Sequence, residues 1–340
     1  MAGVGAEGGA AMRTYLRSGL LLAMVLALAV LLLGPEQASG SPTGPPDSMD
    51  ALGDSITRAM DADGIPAHFG DQLQYSWSTG DSGAVQSHYY HIRHSYSPIT
   101  GHNDNDAVSG AKMVDLSGQA QTAVADEVGY EYVTILMGAN DVCTSTEGTM
   151  TAVETYRTQF RQAMDTLTTG LPQARIFVAS IPDIYQLWVI LHDNPTAVAV
   201  WNYGICQSLL ANPTSHDQAD EDRRDRVRQR NIDFNTVLSE ECATYSQCRF
   251  DNNVVFDGTL EVSDVSTFDY FHPSITGQKK IASGTWEVTY DFHLPVGGVA
   301  ELPDASDSSR PGYVVVAVLA GAALVALGGG GWFARRRRLG

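Results

Sequence analysis

The sequence predicts an α/β domain, a three-layer sandwich whose central parallel sheet is flanked by helices. Three observations carry this expectation. Short apolar runs of strand length at 49–52, 132–137 and 175–180 are separated by longer stretches with apolar residues at helical spacing. Strands alternating with helices imply a parallel sheet covered on both faces. The runs give way to Gly53-Asp54-Ser55, Gly138-Ala139-Asn140 and Pro182-Asp183, and in such sheets ligands gather beyond the carboxyl ends of strands.

Taken in order, 49–52 is a brief first strand. Residues 111–127 follow as a helix, and 132–137 (Tyr-Val-Thr-Ile-Leu-Met) is the strongest strand, rich in β-branched and aromatic residues. Along 151–168, Val153, Tyr156, Phe160, Met164 and Leu167 fall on one face of a helix. Residues 175–180 form a strand and 220–240 a helix; 253–256 reads as a weaker strand and 276–290 as the last helix. His88, His91 and His94 recur every third residue among Tyr89, Tyr90 and Tyr96. A partly buried aromatic helix is preferred there over a metal cluster. The apolar, aromatic patch of Tyr185, Leu187, Trp188, Val189, Ile190, Leu191 and Trp201 reads as core, with the wall of a cleft as the other use for it. The charge run at 220–230 reads as a solvated helix face laced with ion pairs.

The two ends differ from the middle. Arg13 and Arg17, an apolar run at 20–33 and the small residues Ala38-Ser39-Gly40 describe a cleavable signal peptide over 1–40, with an uncleaved anchor as the alternative. Residues 41–48 and 299–312 read as linkers on either side of one domain, 49–298. Residues 313–333 carry no charge and are long enough to span about 30 Å of hydrocarbon as a helix. The arginines of the tail, 334–340, would hold that end in the cytoplasm. The domain is therefore expected on the extracellular face of the cell membrane, as a single-pass protein. Attachment to the cell wall is the alternative, suggested by Leu302-Pro303-Asp304-Ala305-Ser306 before the apolar run.

The formal charge of the 340 residues is −18. Residues 36–334 carry 15 basic and 38 acidic residues, a net −23. Such a surface repels nucleic acid and anionic membranes, so no nucleic-acid partner is expected. Four cysteines in an exported chain favour disulfides. Cys242 and Cys248 can close a small loop, which would leave Cys143 to Cys206, although four cysteines permit three pairings. No CxxC spacing occurs, which argues against zinc.

Four pieces carry chemistry. Gly53-Asp54-Ser55 stands where the first strand should turn into a helix, a position whose backbone N–H can help to bind an anion. Gly110 opens the next helix and lets backbone approach a substrate closely. Asn140 follows the strongest strand, where a side-chain amide can stabilise an oxyanion. Asp269 and His272, three residues apart and just before Pro273, can share one turn. The carboxylate would then hold one ring nitrogen while the other faces a serine.

Together, and in this order, the pieces resemble the SGNH (GDSL) hydrolase superfamily, named for its Ser, Gly, Asn and His, over 50–286. The chain is most similar to the phospholipase B-like branch. The stretches that carry this are Ala51-Leu52-Gly53-Asp54-Ser55-Ile56-Thr57, Ser109-Gly110-Ala111-Lys112-Met113, Met137-Gly138-Ala139-Asn140-Asp141-Val142-Cys143 and Ser180-Ile181-Pro182-Asp183-Ile184. The resemblance implies the SGNH hydrolase fold and a carboxylic ester hydrolase working through an acyl-enzyme. Ser55 would be the nucleophile, His272 the base and Asp269 its orienter. Ser55, Gly110 and Asn140 would form the oxyanion hole, with Asp54 and Asp141 supporting the loops. It implies no metal and no organic cofactor. One departure is the polar run Asn103-Asp104-Asn105-Asp106 ahead of Gly110, where relatives often have small residues. The expected substrate is a lipid ester or an acylated small molecule, with a carbohydrate O-acetyl ester as the rival. A non-catalytic surface binding module is the rival of another class.

Overall fold

The computed structural model describes residues 44–294. The signal segment, residues 41–43 of the first linker, the second linker and the apolar stretch 313–333 with its basic tail lie outside them. Among the described residues no helix is long and apolar enough to cross a membrane.

Five strands form one sheet: β1 (Met49–Gly53), β2 (Asn103–Asn105), β3 (Tyr132–Leu136), β4 (Arg175–Val178) and β5 (Cys248–Phe250). Their order is β2-β1-β3-β4-β5 and every pairing is parallel. Every residue of β1, β3 and β4 is buried, as expected where helices cover both faces of a parallel sheet. The helices are α1 (His88–Ser95), α2 (Met113–Ala125), α3 (Ala139–Val142), α4 (Val153–Gly170), α5 (Tyr185–Leu191), α6 (Pro195–Trp201), α7 (Gln207–Leu210), α8 (Gln218–Cys242) and α9 (Ile275–Val288). The three-layer α/β expectation holds.

On one face α2 packs on β1 and α4, and α4 packs on α8. The buried side of α4 carries Tyr156, Phe160, Met164 and Leu167, as its periodicity predicts. Tyr156 stacks on Phe234 of α8 with ring centroids 4.0 Å apart, an arrangement worth about 0.5–1.5 kcal/mol beyond the area buried. Elsewhere α1 and α9 meet across β3. His88 is fully buried, with its ring nitrogens 2.7 Å from the Tyr132 hydroxyl and 2.8 Å from the Thr285 hydroxyl. Burial pushes its pKa down to about 3, with His91 adding to the effect, so it is a neutral bridge. His91 stacks on Trp286 and His94 against Tyr90. The three histidines therefore point to different partners, and the aromatic-helix reading of this stretch stands.

Two strand expectations need correction. Residues 253–256 are not a strand. Asn252 and Asn253 are left-handed (φ 56° and 66°), and Asp251 accepts from the amides of Asn253 and Val255, which turns the chain. The fifth strand lies just upstream, at Cys248–Phe250. The polar run 103–105 is itself the edge strand β2. Its asparagines reach the 76–80 loop rather than an apolar core: Asn103 donates to the Thr79 carbonyl and Asn105 to the Thr79 hydroxyl, each at 2.8 Å.

The charge run on α8 is only partly solvated. Arg226 pairs with Glu147 and Arg228 with Asp183, as a face of ion pairs should. Arg224, however, is fully buried, with its guanidinium over the Trp188 ring at 4.2 Å from the centroid. The cysteines pair as Cys143–Cys206 and Cys242–Cys248.

Candidate active site

The site lies at the carboxyl ends of β1 and β3. Leaving β1, the chain must turn at once. Gly53 has φ +154°, and a Cβ there would stand 2.4 Å from the Leu136 carbonyl oxygen and 2.5 Å from the Thr57 hydroxyl, so only glycine fits. Gln119 of α2 clamps it from outside, accepting from the Gly53 amide and donating to its carbonyl, both at 2.8 Å. Ser55 does not open a regular helix. It opens a run of turns in which Ala59 and Asp61 are left-handed.

The candidate base, His272, arrives from the far end of the chain. His272 sits two residues before Ser274, whose hydroxyl caps α9 by accepting from the amides of Thr276 and Gly277. Its loop is pinned on both sides. The Ser266 amide donates to the His272 carbonyl, and the Ser274 amide to the Asp264 carbonyl, each at 2.8 Å. Gln278 of α9 donates to the Ile56 carbonyl at 2.8 Å and so ties the base's helix to the nucleophile's turn.

Within this frame His272 Nε2 is 2.7 Å from Ser55 Oγ and His272 Nδ1 is 2.5 Å from Asp269 Oδ2. The other Asp269 oxygen accepts from the amides of Phe271 (2.9 Å) and His272 (3.0 Å). A proton on Nδ1, donated to Asp269, satisfies this network and leaves Nε2 free to accept from the serine hydroxyl. Burial alone would depress the imidazolium. The hydrogen bond to Asp269 and its charge outweigh that, Asp54 and Asp61 add to it, and the His272 pKa rises above its ordinary value. Burial would likewise raise Asp269, but the His272 contact and the two amides hold it below the ordinary carboxylate range.

Asp54 is fully buried. Burial pushes its carboxyl up to about 7, against the opposing Ile56 amide and His272, with Asp141 raising it further. Its Oδ1 accepts from the Ile56 amide at 2.9 Å. Asp141 accepts from the Met113 amide (2.8 Å) and the Thr151 hydroxyl (2.6 Å). Both acids hold loops.

Asn140 lies on α3, past Gly138 (φ +133°), where a Cβ would stand 2.7 Å from the Tyr156 hydroxyl oxygen. Its Nδ2 donates to the Ala111 carbonyl at 3.0 Å. This links the Asn140 turn to the Gly110 stretch and leaves a second N–H on the same nitrogen. Ser55, Asn140 and His272 share the lining of one cavity of about 100 Å³. Gly110 (φ +86°) does not line it. It borders a neighbouring depression with Arg58, Asp71 and Ser109, and the nearby Val108 amide donates to the Gly53 carbonyl.

The cavity wall is apolar, with Ile184, Leu187, Val254, Val255, Leu260 and Ile281. Leu187 thus serves both core and cleft. Val254 and Val255 owe their place to the turn that replaces the expected strand. A charged pair, Lys280 with the fully buried Asp264, stands in the wall; Lys280 also donates to the Thr259 carbonyl, and Asp264 Oδ1 has no hydrogen-bond partner among the described residues.

One site residue is invisible to sequence reasoning. Asp61 is buried, and its carboxylate lies with the Asp269 carboxylate and the His272 ring in a group whose ligating atoms are all within 4.8 Å of one another. Its Oδ1 accepts from the Gly70 amide and its carbonyl from the Ser266 hydroxyl. In sequence it is part of an ordinary Asp-Ala-Asp-Gly turn, with nothing to mark its distance from the base.

A search among curated proteins finds no match to the chain. Among solved structures, a catalytic mutant of an acetylxylan esterase from Geobacillus stearothermophilus is similar at 15% identity and TM-score 0.43, covering 74% of this chain and 98% of that one. A family 3 carbohydrate esterase from Clostridium thermocellum is similar at 14% identity and TM-score 0.40, covering 71% and 94%. Residues 51–285 match the sequence model of the GDSL-like lipase/acylhydrolase family. The chain therefore belongs to the GDSL-like lipase/acylhydrolase family of SGNH hydrolases, and it is an ester hydrolase.

Proposed function

We propose that the protein is an exported, membrane-tethered serine esterase that cleaves carboxylic esters with apolar acyl groups, lipid-derived esters among them. The observation that carries this is the chain of contacts from Asp269 through His272 to Ser55, 2.5 Å and 2.7 Å long, which opens on an apolar cavity. Ser55 Oγ attacks the acyl carbon as His272 Nε2 takes its proton, and Asp269 stabilises the imidazolium. The oxyanion is held by the amide N–H of Ser55 and by the second N–H of Asn140, oriented by the Ala111 carbonyl, while Gly110, expected as the third donor, lies outside the cavity lining. The leaving alcohol takes the proton back from His272, and water releases the acyl group by the same steps.

The enclosed volume of about 100 Å³ lies below the roughly 150 Å³ that holds a benzene ring. It suits a short acyl chain or the first carbons of a longer one. The tether and the outward-facing location rest on the apolar stretch and arginines at 313–338, and the lipid preference on the phospholipase B-like stretches and on work beside a bilayer.

The test is a panel of short and long acyl esters, phospholipids and acetylated sugars, together with fluorophosphonate labelling of the protein and of Ser55→Ala. Turnover of apolar acyl esters, with labelling lost in the variant, is expected. Turnover of acetylated sugars alone would overturn the acyl preference. A folded protein that takes up no label would be a binding module.

A further inference from the structure

A second recess shares Asn140, Phe271 and His272 with the first cavity. It measures about 490 Å³ and is lined by Asn140, Asp269 and His272 but not by Ser55. Met60, Phe69, Tyr203, Ile205, Phe268 and Phe271 make its apolar wall. Phe69 and Phe268 hold their rings 5.6 Å apart, while Phe69 is 67% and Tyr203 91% exposed. Large apolar side chains gathered at the mouth of a site mark a surface that waits for a ligand.

We propose that this recess is the leaving-group subsite and that it takes an aromatic alcohol without negative charge. This deepens the esterase reading and rests on it. The position follows from the reaction. The acyl carbon bonds to Ser55 Oγ, so the acyl chain occupies the cavity that Ser55 lines. When the bond from that carbon to the alcohol oxygen breaks, the oxygen takes the proton from His272 Nε2. The alcohol must therefore lie on the His272 side, away from Ser55, which is where the aromatic recess opens.

Charge narrows the class. The recess contains the carboxylates of Asp61 and Asp269 and no lysine or arginine, so a phosphate-bearing alcohol is repelled. Asp269 is engaged by His272 and two amides, and Asp61 Oδ1 by the Gly70 amide, while Asp61 Oδ2 makes no hydrogen bond among the described residues. The charge of the recess therefore excludes an anionic alcohol. What remains is apolar and aromatic contact.

The far wall is held in register with the oxyanion donor. The Cys143–Cys206 disulfide joins the end of the Asn140 turn to the segment that bears Tyr203 and Ile205. Ser208 adds three hydrogen bonds across the same seam, from its hydroxyl to the Val142 carbonyl, from the Thr144 amide to its hydroxyl, and from its own amide to the Thr144 carbonyl. A ring docked on that wall is thereby fixed relative to the reacting carbonyl.

The experiment measures kcat/KM on butyrate esters of methanol, 2-phenylethanol and glycerol 3-phosphate, using the purified protein and the variants Phe69→Ala, Tyr203→Ala and Ser55→Ala. Both exposed side chains can be truncated without opening the core. The phenylethyl ester is expected to exceed the methyl ester by roughly tenfold or more, and each aromatic truncation to pull that ratio toward one. Val189→Ala, an exposed apolar residue outside the recess, should leave the ratio unchanged. A ratio near one in the unmodified protein, a ratio untouched by both truncations, or preference for the phosphate ester would each overturn the subsite. Methyl butyrate hydrolysis that disappears in Ser55→Ala would then leave the esterase reading standing. Failure of the folded protein on every ester would sink both.

Discussion

The substitution Asp269→Asn tests the catalytic reading at the point where geometry speaks most directly. The two side chains are of nearly equal size, and the amide oxygen of the introduced asparagine can still accept from the Phe271 and His272 amides, now 2.9 Å and 3.0 Å from Asp269 Oδ1. Those two bonds hold the orientation of the new side chain, so its NH₂ group faces His272 Nδ1, 2.5 Å from the present Oδ2. Two donors cannot face each other. The ring must give up the proton on Nδ1 and carry it on Nε2, 2.7 Å from Ser55 Oγ. A protonated Nε2 cannot accept the serine proton. The imidazolium also loses its carboxylate in the transition state. A wrong-tautomer substitution of this kind lowers kcat by about 10⁴ in a serine protease with the same triad, or roughly 5.4 kcal/mol at 1.36 kcal/mol per decade. Stopped assays on a short-chain ester, alongside thermal melting to show an intact fold, would measure it. A loss below about tenfold in a folded variant would refute the reasoning, because something other than Asp269 would then be holding the ring.

Three further outcomes follow from the same geometry. Asn140→Ala should lower kcat by roughly 10²–10³, with less effect on KM, because it removes a donor that acts mainly on the oxyanion; an unchanged kcat would mean that the amide only braces Ala111. Because His272 must be neutral to accept a proton and its pKa is raised above 6.5, kcat/KM should climb with pH along a limb lying above that value. Asp269, Asp54 and Asp61 are the charges that raise it, so Asp61→Asn should move the limb to lower pH while sparing the Gly70 contact; an unmoved limb would show that Asp61 does not act on the base. Removing Cys143–Cys206, whose partners are 63 residues apart, should cost about 4 kcal/mol of stability on the chain-entropy scale, against about 2 kcal/mol for Cys242–Cys248, six residues apart. Denaturant melts of the two double-alanine variants would compare them, and a larger loss for the shorter loop would reverse the expected order.

Much of the molecule is legible without coordinates. Mostly apolar runs bounded by small residues place β1, β3 and β4, because a strand buried on both faces is largely apolar, with Asp50, Thr134 and Arg175 the buried polar exceptions. The helical period of Tyr156, Phe160, Met164 and Leu167 places α4 for the same kind of reason. Ser55, Asn140, Asp269 and His272 stand out because each sits at a turn where its residue type has a chemical use. The rest escapes a reading of this kind. β2 is polar because its asparagines find hydrogen bonds in a loop rather than burial in a core. Residues 253–256 look like a strand because Val254 and Val255 are apolar, yet they line a cavity instead of a sheet.

Periodicity records which side of an element meets water. It carries no information about which distant segment that side meets. The sequence by itself therefore determined the layered α/β frame and singled out the residues proposed to react. Only the tertiary structure decided that Ser55 and His272, 217 residues apart, come within 2.7 Å. It also brought Asp61 beside His272, left Gly110 outside the cavity lining and opened two apolar recesses that share the imidazole. Those are contacts between segments far apart along the chain, set by packing and hydrogen bonding across the whole domain and not by any local pattern of residues.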